Sequence, residues 1–281
     1  MEEKGENVNE ARNRRRRINK IKNTIVISII VWMVLSFIGL VCLSIFVVRL
    51  NKDIKFLSKQ LEQRSYNGVG VQKDNLNKVY LTFEGGPSEN TQRLLDVLKE
   101  QNVQATFFVD GNESVQAKNI YKRIVDEGHT LGMRSYTNKL NQVYNSKETF
   151  EQDFFHLQKL LYNNTGVKCK YYRFLGSSNN RISNVSMSVF VDFLKKHNIT
   201  YVDWNVAEIL SLNSEDRIQK MEQEIAKNKI SVVLLHDGIV ESTTVENLGR
   251  LINDLKKSKS QILPIDKDAN VIQFFNSSSI E

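Results

Sequence analysis

Two side chains that can trade protons sit at the ends of apolar runs in this 281-residue chain. Val79, Leu81 and Phe83 alternate with Tyr80 and Thr82, and Glu84 follows them just before Gly85-Gly86-Pro87. β-formers in this pattern predict a short buried strand that stops at the glycines. A second run, Val232 to Leu235, ends in His236-Asp237. In α/β folds the carboxyl ends of strands are where active sites gather. A carboxylate and an imidazole on such a rim are the residue types of general acid–base chemistry. A His closing a buried strand can equally be a satisfied core group.

The elements that must hold these side chains follow from periodicity. Strands are predicted over 78–84, 105–110, 130–134, 171–175, 199–205, 231–236 and 261–265. Helices are predicted between them over 89–101, 115–127, 147–162, 185–197, 214–228 and 243–257. Leu94, Leu95 and Leu98 give the first helix its apolar face; Phe154, Leu157, Leu160 and Leu161 do so for the third. Alternating βα units predict a mostly parallel sheet with helices outside, and periodicity does not separate an open sheet from a barrel.

The chain before residue 78 has a different composition. Residues 1–23 form a polar, basic tail with Arg14 to Arg17 in a row. Residues 24–48 are free of charge, long enough at 1.5 Å per residue to span roughly 30 Å of hydrocarbon. The apolar run is too long for a signal peptide, so it reads as a single transmembrane helix. The basic tail then lies in the cytoplasm and the C-terminal domain outside the cell membrane. Leu50, Ile54, Leu57 and Leu61 continue a helical stripe, so residues 49–77 read as a stalk through which a homodimer could form. Residues 78–281 are the folded domain.

Net charge supports this division. Residues 1–49 hold nine Lys/Arg and four Asp/Glu, so most of the chain's net +7 lies there. A nucleic-acid partner, which needs a basic face on the folded domain, is disfavoured. The arginines are suited to setting topology and touching anionic membrane lipid. Cys42 lies in the apolar run and Cys169 stands alone in the remainder, so no intrachain bridge is expected.

Five segments in order carry a resemblance. Thr82-Phe83-Glu84-Gly85-Gly86-Pro87 resembles the first motif of the polysaccharide deacetylases (carbohydrate esterase family 4, the NodB-homology domain), commonly T-F-D-D-G-P. Gly128-His129-Thr130-Leu131-Gly132-Met133-Arg134-Ser135-Tyr136-Thr137-Asn138 resembles G-H-x-I-G-N-H-S-x-x-H. Tyr172-Arg173-Phe174-Leu175-Gly176 resembles the third motif, Asp203-Trp204-Asn205-Val206 the fourth, and Leu234-Leu235-His236-Asp237 the fifth. The resemblance covers about residues 78–275. It implies a distorted (β/α)7 barrel that removes acetyl groups from N-acetylated glycan such as peptidoglycan. It also implies Glu84 as general base, His236 as general acid and Arg173 as the cation that holds the base. Trp204, Tyr136 and Arg134 become substrate-binding candidates, and His129, which precedes the ligand positions, reads as structural. Ala105 to Val109 looks like the family's second strand and reads as ordinary core.

The departures fall on the metal. The family binds a divalent cation such as Zn²⁺ through the second Asp of its first motif and two His of its second. Those positions are Gly85, Arg134 and Asn138 here. Guanidinium is always charged and offers no lone pair. The Asp that tunes the family's catalytic His falls at Leu210 by direct count. A metal lowers the pKa of its bound water from roughly 16 to roughly 7. Forfeiting that is worth on the order of 12 kcal/mol, far beyond one general base. The expectation is therefore no cofactor, with Arg134 or Arg173 pairing Glu84 in place of the cation. Three readings stay open: a degenerate, wall-glycan-binding pseudoenzyme; a working amide hydrolase with an atypical site; and a scaffold for protein partners.

Overall fold

The structure, a computed structural model, describes residues 76–237 and 243–275. The basic tail, the charge-free run and nearly all of the expected stalk lie outside the described residues. Among the described residues no helix is long and apolar enough to cross a membrane.

Strands and helices alternate as the periodicity predicts. The order is β1 (Lys78–Glu84), α1 (Glu89–Glu100), β2 (Thr106–Asp110), α2 (Val115–Asp126), β3 (Thr130–Ser135), α3 (Leu140–Val143) and α4 (Lys147–Thr165). Then come β4 (Tyr171–Tyr172), α5 (Met187–Lys196), β5 (Thr200–Tyr201), β6 (Val206–Ala207), α6 (Ser214–Ala226), β7 (Ile230–His236), α7 (Thr243–Lys257) and β8 (Gln261–Ile262). The strands lie in the order β5-β4-β3-β2-β1-β7-β6, with β8 beside β1, and every pairing is parallel. The sheet is a curled half-barrel with helices packed on it.

The interior of β1 is buried on both faces, as a central parallel strand must be. Val79, Leu81 and Phe83 join the large core shared with the helices. Tyr80 joins a smaller core inside the curl, with Phe108, Val202, Val232 and Ile265. Most helix starts are fixed by side-chain caps. Ser88 accepts from Asn90 N at the head of α1, while Thr91 Oγ1 accepts from Ser88 N. Ser146 and Thr149 do the same for α4, which ends at Gly166 in the left-handed region.

Three expected strands are shorter than the apolar pattern suggests. The 171–175 strand pairs only through Tyr171–Tyr172, and 199–205 only through Thr200–Tyr201, with the unexpected β6 just beyond its end. The reason is a side chain. Arg173 Nε donates to Val202 O at 3.1 Å and Nη2 to Asp203 O at 3.5 Å, so a guanidinium takes carbonyls that a ladder would have used. The third, 261–265, pairs only over β8, beyond which Leu263 N donates to Val79 O and Ile265 N to Thr106 Oγ1.

Candidate active site

Side chains two apart on a strand share a face. Glu84 therefore follows Tyr80, Asp110 follows Phe108, and His236 follows Val232 onto the inner side of the curl. Glu84 and His236 are direct partners in the β1–β7 register. Between β2 and β3 the register slips, Val109 pairing Met133 and Asp110 pairing Ser135. Arg134 is the extra residue of that bulge, a device that re-aims side chains.

The bulge lands Arg134 in an ion cluster. Its Nη1 donates to Asp110 Oδ2 at 2.7 Å and to Asn138 Oδ1 at 3.0 Å. Its Nη2 lies 3.8 Å from Glu84 Oε1, and Arg173 Nη1 lies 3.8 Å from Glu84 Oε2. Both arginines thus flank Glu84, at charge-contact rather than hydrogen-bond distance. The strong bond of Arg134 goes to Asp110, which sequence reasoning read as the end of an ordinary strand. Burial pushes the Asp110 carboxyl up to about 6, against the opposing pull of Arg134. Its Oδ1 is buried without a hydrogen-bond partner.

Arg173 is fully buried. Its guanidinium lies over the Phe108 ring at 4.2 Å and near Trp204 at 5.5 Å. Burial pulls it down to about 10, with Glu84 and Asp203 pushing the other way. Gly132 makes this stack possible, since a Cβ there would come within 2.6 Å of the Phe108 ring.

On the other side of Glu84 the rim is built differently. His236 Nδ1 stands 3.5 Å from Glu208 Oε2, and Glu208 Oε1 accepts from Arg217 Nη1 at 3.0 Å. The carboxylate beside the imidazole is thus Glu208, on the residue after β6, and the position counted out by spacing, Leu210, is solvent-exposed. Asp237 faces away from the reaction space. Its carboxylate accepts from Thr91 Oγ1 at 2.6 Å and Ser88 Oγ at 3.1 Å, anchoring the head of α1, and burial pushes it up to about 6.

The remaining candidates are distributed around this rim. Asp153, buried on α4, accepts from Ser135 Oγ and from the backbone N–H of Tyr136 and Thr137, so it holds the turn that carries Asn138. No motif pointed to it, although an Asp on the apolar stripe of α4 was the available signal. Tyr136 is stacked on His156 at 3.7 Å and donates to Glu113 Oε1, leaving less of its ring for a ligand than the sequence suggested. Trp204 is half-buried and meets Phe274 edge-on. His129 is structural: Ala105 N donates to its Nδ1, and burial pulls it down to about 4.

The donor set does not fit a divalent ion of the implied kind. Gly85 has no side chain and sits at φ +93°, where glycine is favoured. The Arg134 guanidinium occupies the second ligand position, and the Asn138 oxygen already accepts from it. Among the described residues no group of three or more His, Cys, Asp or Glu side chains is arranged to hold a metal.

Comparison with known proteins agrees with the motif reading. Residues 72–202 match the polysaccharide deacetylase family. The chain is 31% identical over 187 residues to YheN of Bacillus subtilis (strain 168), a protein named for that family, covering 64% of each. It is 27% identical over 229 residues to the peptidoglycan-N-acetylglucosamine deacetylase PgdA of Listeria monocytogenes, covering 78% of this chain and 45% of that one. It thus spans less than two thirds of either relative. The catalytic domain of peptidoglycan N-acetylglucosamine deacetylase from Eubacterium rectale superposes with a TM-score of 0.67 at 27% identity, over 75% of this chain and 98% of that one.

Proposed function

The chain carries a domain of the polysaccharide deacetylase family, and from that premise we propose that it engages N-acetylated cell-wall glycan without metal-dependent hydrolysis. The observation that carries this reading is the Arg134 guanidinium, seated against Asp110 and Asn138 where the family places a metal ligand. A tethered charge there cannot supply an ionisable water. The names of the relatives, peptidoglycan-N-acetylglucosamine deacetylases, supply the ligand class. Trp204, Tyr136 and Arg134 are the contacts we assign to the sugar.

We place the domain outside the cell membrane. In this proposal the charge-free run 24–48 is the anchor, the Arg14–Arg17 tail meets anionic lipid in the cytoplasm, and the stalk is able to pair two copies.

A second reading, a working amide hydrolase, is favoured by one specific observation. Glu84 and His236 are side by side in register, and Glu208 stands at the imidazole. Base and acid are therefore both in place, with Arg134 as a cation to polarise the carbonyl. Co-sedimentation with purified N-acetylated peptidoglycan, run beside acetate-release assays on the same material and on chitin oligomers, separates the readings. Our proposal expects binding that Trp204→Ala weakens, with acetate release at background. Acetate release at enzymatic rates, abolished by Glu84→Gln and by His236→Ala, would establish the second. Absence of glycan binding would leave the scaffold reading.

A further inference from the structure

Phe274 is a large apolar side chain left 40% exposed beside the rim, where it meets Trp204 edge-on at 5.5 Å between ring centres. A lone exposed Phe is ordinary on a protein surface. This one is held where it stands. Its backbone N–H donates to Asp203 Oδ2 at 2.8 Å, and that of Phe275 donates to Ser178 Oγ at 3.0 Å. Asp203 N donates to Ile272 O at 2.7 Å, and Gln273 Nε2 donates to Tyr201 O at 2.9 Å. Asp203 and Ser178 are fully buried, so the segment is pinned to the interior of the domain. Ile272 and Phe275 pack against the two cores, whereas Phe274 between them stays exposed.

The aromatic pair continues the candidate active site. The Arg173 guanidinium lies 5.5 Å from the Trp204 ring centre, and Arg173 Nη1 lies 3.8 Å from Glu84 Oε2. Contacts therefore run without a break from Glu84 through Arg173 and Trp204 to Phe274. The two ring planes stand at 71°, so they make a corner rather than a flat patch. The face of an aromatic ring carries negative partial charge. The C–H face of a pyranose is apolar and weakly positive, so it packs on such a ring while its hydroxyls stay in water. An anion meets only repulsion there.

We propose that Trp204 and Phe274 together form an aromatic subsite for a sugar next to the one that meets Glu84, so that the glycan is held over more than one unit. The proposal rests on the glycan-binding reading given above. It adds to that reading a contact residue that lies in none of the five motif segments.

The test is titration calorimetry of the full chain in detergent, with chitotetraose as probe. The wild-type chain should bind. Phe274→Leu keeps an apolar cover over Trp204 but has no ring, and it should raise the Kd about ten-fold. Phe274→Tyr keeps the ring and should bind within about two-fold of wild type. Phe274→Leu matching wild type, with Trp204→Ala weakened, would sink the subsite and leave the rim reading standing. Equal losses in Phe274→Leu and Phe274→Tyr would overturn it too, since Phe274 would then only fit its segment to the domain. No binding by the wild-type chain would overturn both readings.

Discussion

At the ends of β1 to β4 the rim is a set of opposite charges, Glu84 and Asp110 against Arg134 and Arg173. At the ends of β6 and β7 it is an imidazole 27% exposed on its side chain, with the buried carboxylate of Glu208 behind it. In the first region Arg134 is bonded to Asp110 and both arginines stand 3.8 Å from Glu84. The second keeps a side chain that can still meet a ligand. A buried carboxylate needs a cation near it whether or not chemistry is done there. Asp110 and Arg134 answer that need within the chain.

The comparison is broken most forcefully by removing the internal cation. Arg134→Met should cost about 3 kcal/mol in urea unfolding, since it leaves Asp110 and Glu84 short of a partner in a buried site. Adding Asp110→Asn should return at least half of that loss. An Arg134→Met protein of unchanged stability would mean that the ion cluster is incidental.

A smaller effect separates the regions by pH. The folded Asp110 carboxyl titrates near 6, above its unfolded value near 4, so the folded state holds more protons between these limits. Stability from this group is present below about pH 4 and falls as pH rises to about 6, by at most about 2–3 kcal/mol. Asp237 acts in the same direction. His129, pulled down to about 4, acts in the opposite one, its neutral buried form losing stability as pH falls below about 6.5. Asp110→Asn removes one falling contribution, so its stability should climb relative to wild type across pH 4 to 6. Parallel curves in urea melts at stepped pH would contradict the assignment.

The smallest effect lies on the acid side. Glu208→Gln should cost about 1–2 kcal/mol through the weakened bond to Arg217. It should also change the ring nitrogen chemical shifts of His236, whose Nδ1 lies 3.5 Å from the Glu208 carboxylate. Unchanged shifts would show that Glu208 does not orient the imidazole.

Much of this architecture could be read from residue order. The alternation over Val79 to Glu84 gave β1 its observed bounds, and apolar spacing placed six of the seven helices among the described residues to within a few residues. Arg134 or Arg173 was expected beside Glu84, and the structure brings each of them to 3.8 Å from it. What escaped was set by contacts distant in sequence. Asp110 looked like a strand end because its partner lies on β3 across a bulge. Glu208 was passed over because spacing pointed to Leu210, whereas the turn after β6 brings the earlier residue to His236. The shortened β4 and β5 follow from the reach of Arg173, which no local pattern records.

The central claim is that an arginine stands where the family's metal would be held. Its most direct test is metal analysis of the full chain after equilibration with Zn²⁺ and exhaustive dialysis. The account predicts far less than one retained ion per chain, with retention unchanged in Arg134→Met. One tightly held zinc per wild-type chain, lost on Glu84→Gln or Asp110→Asn, would contradict it.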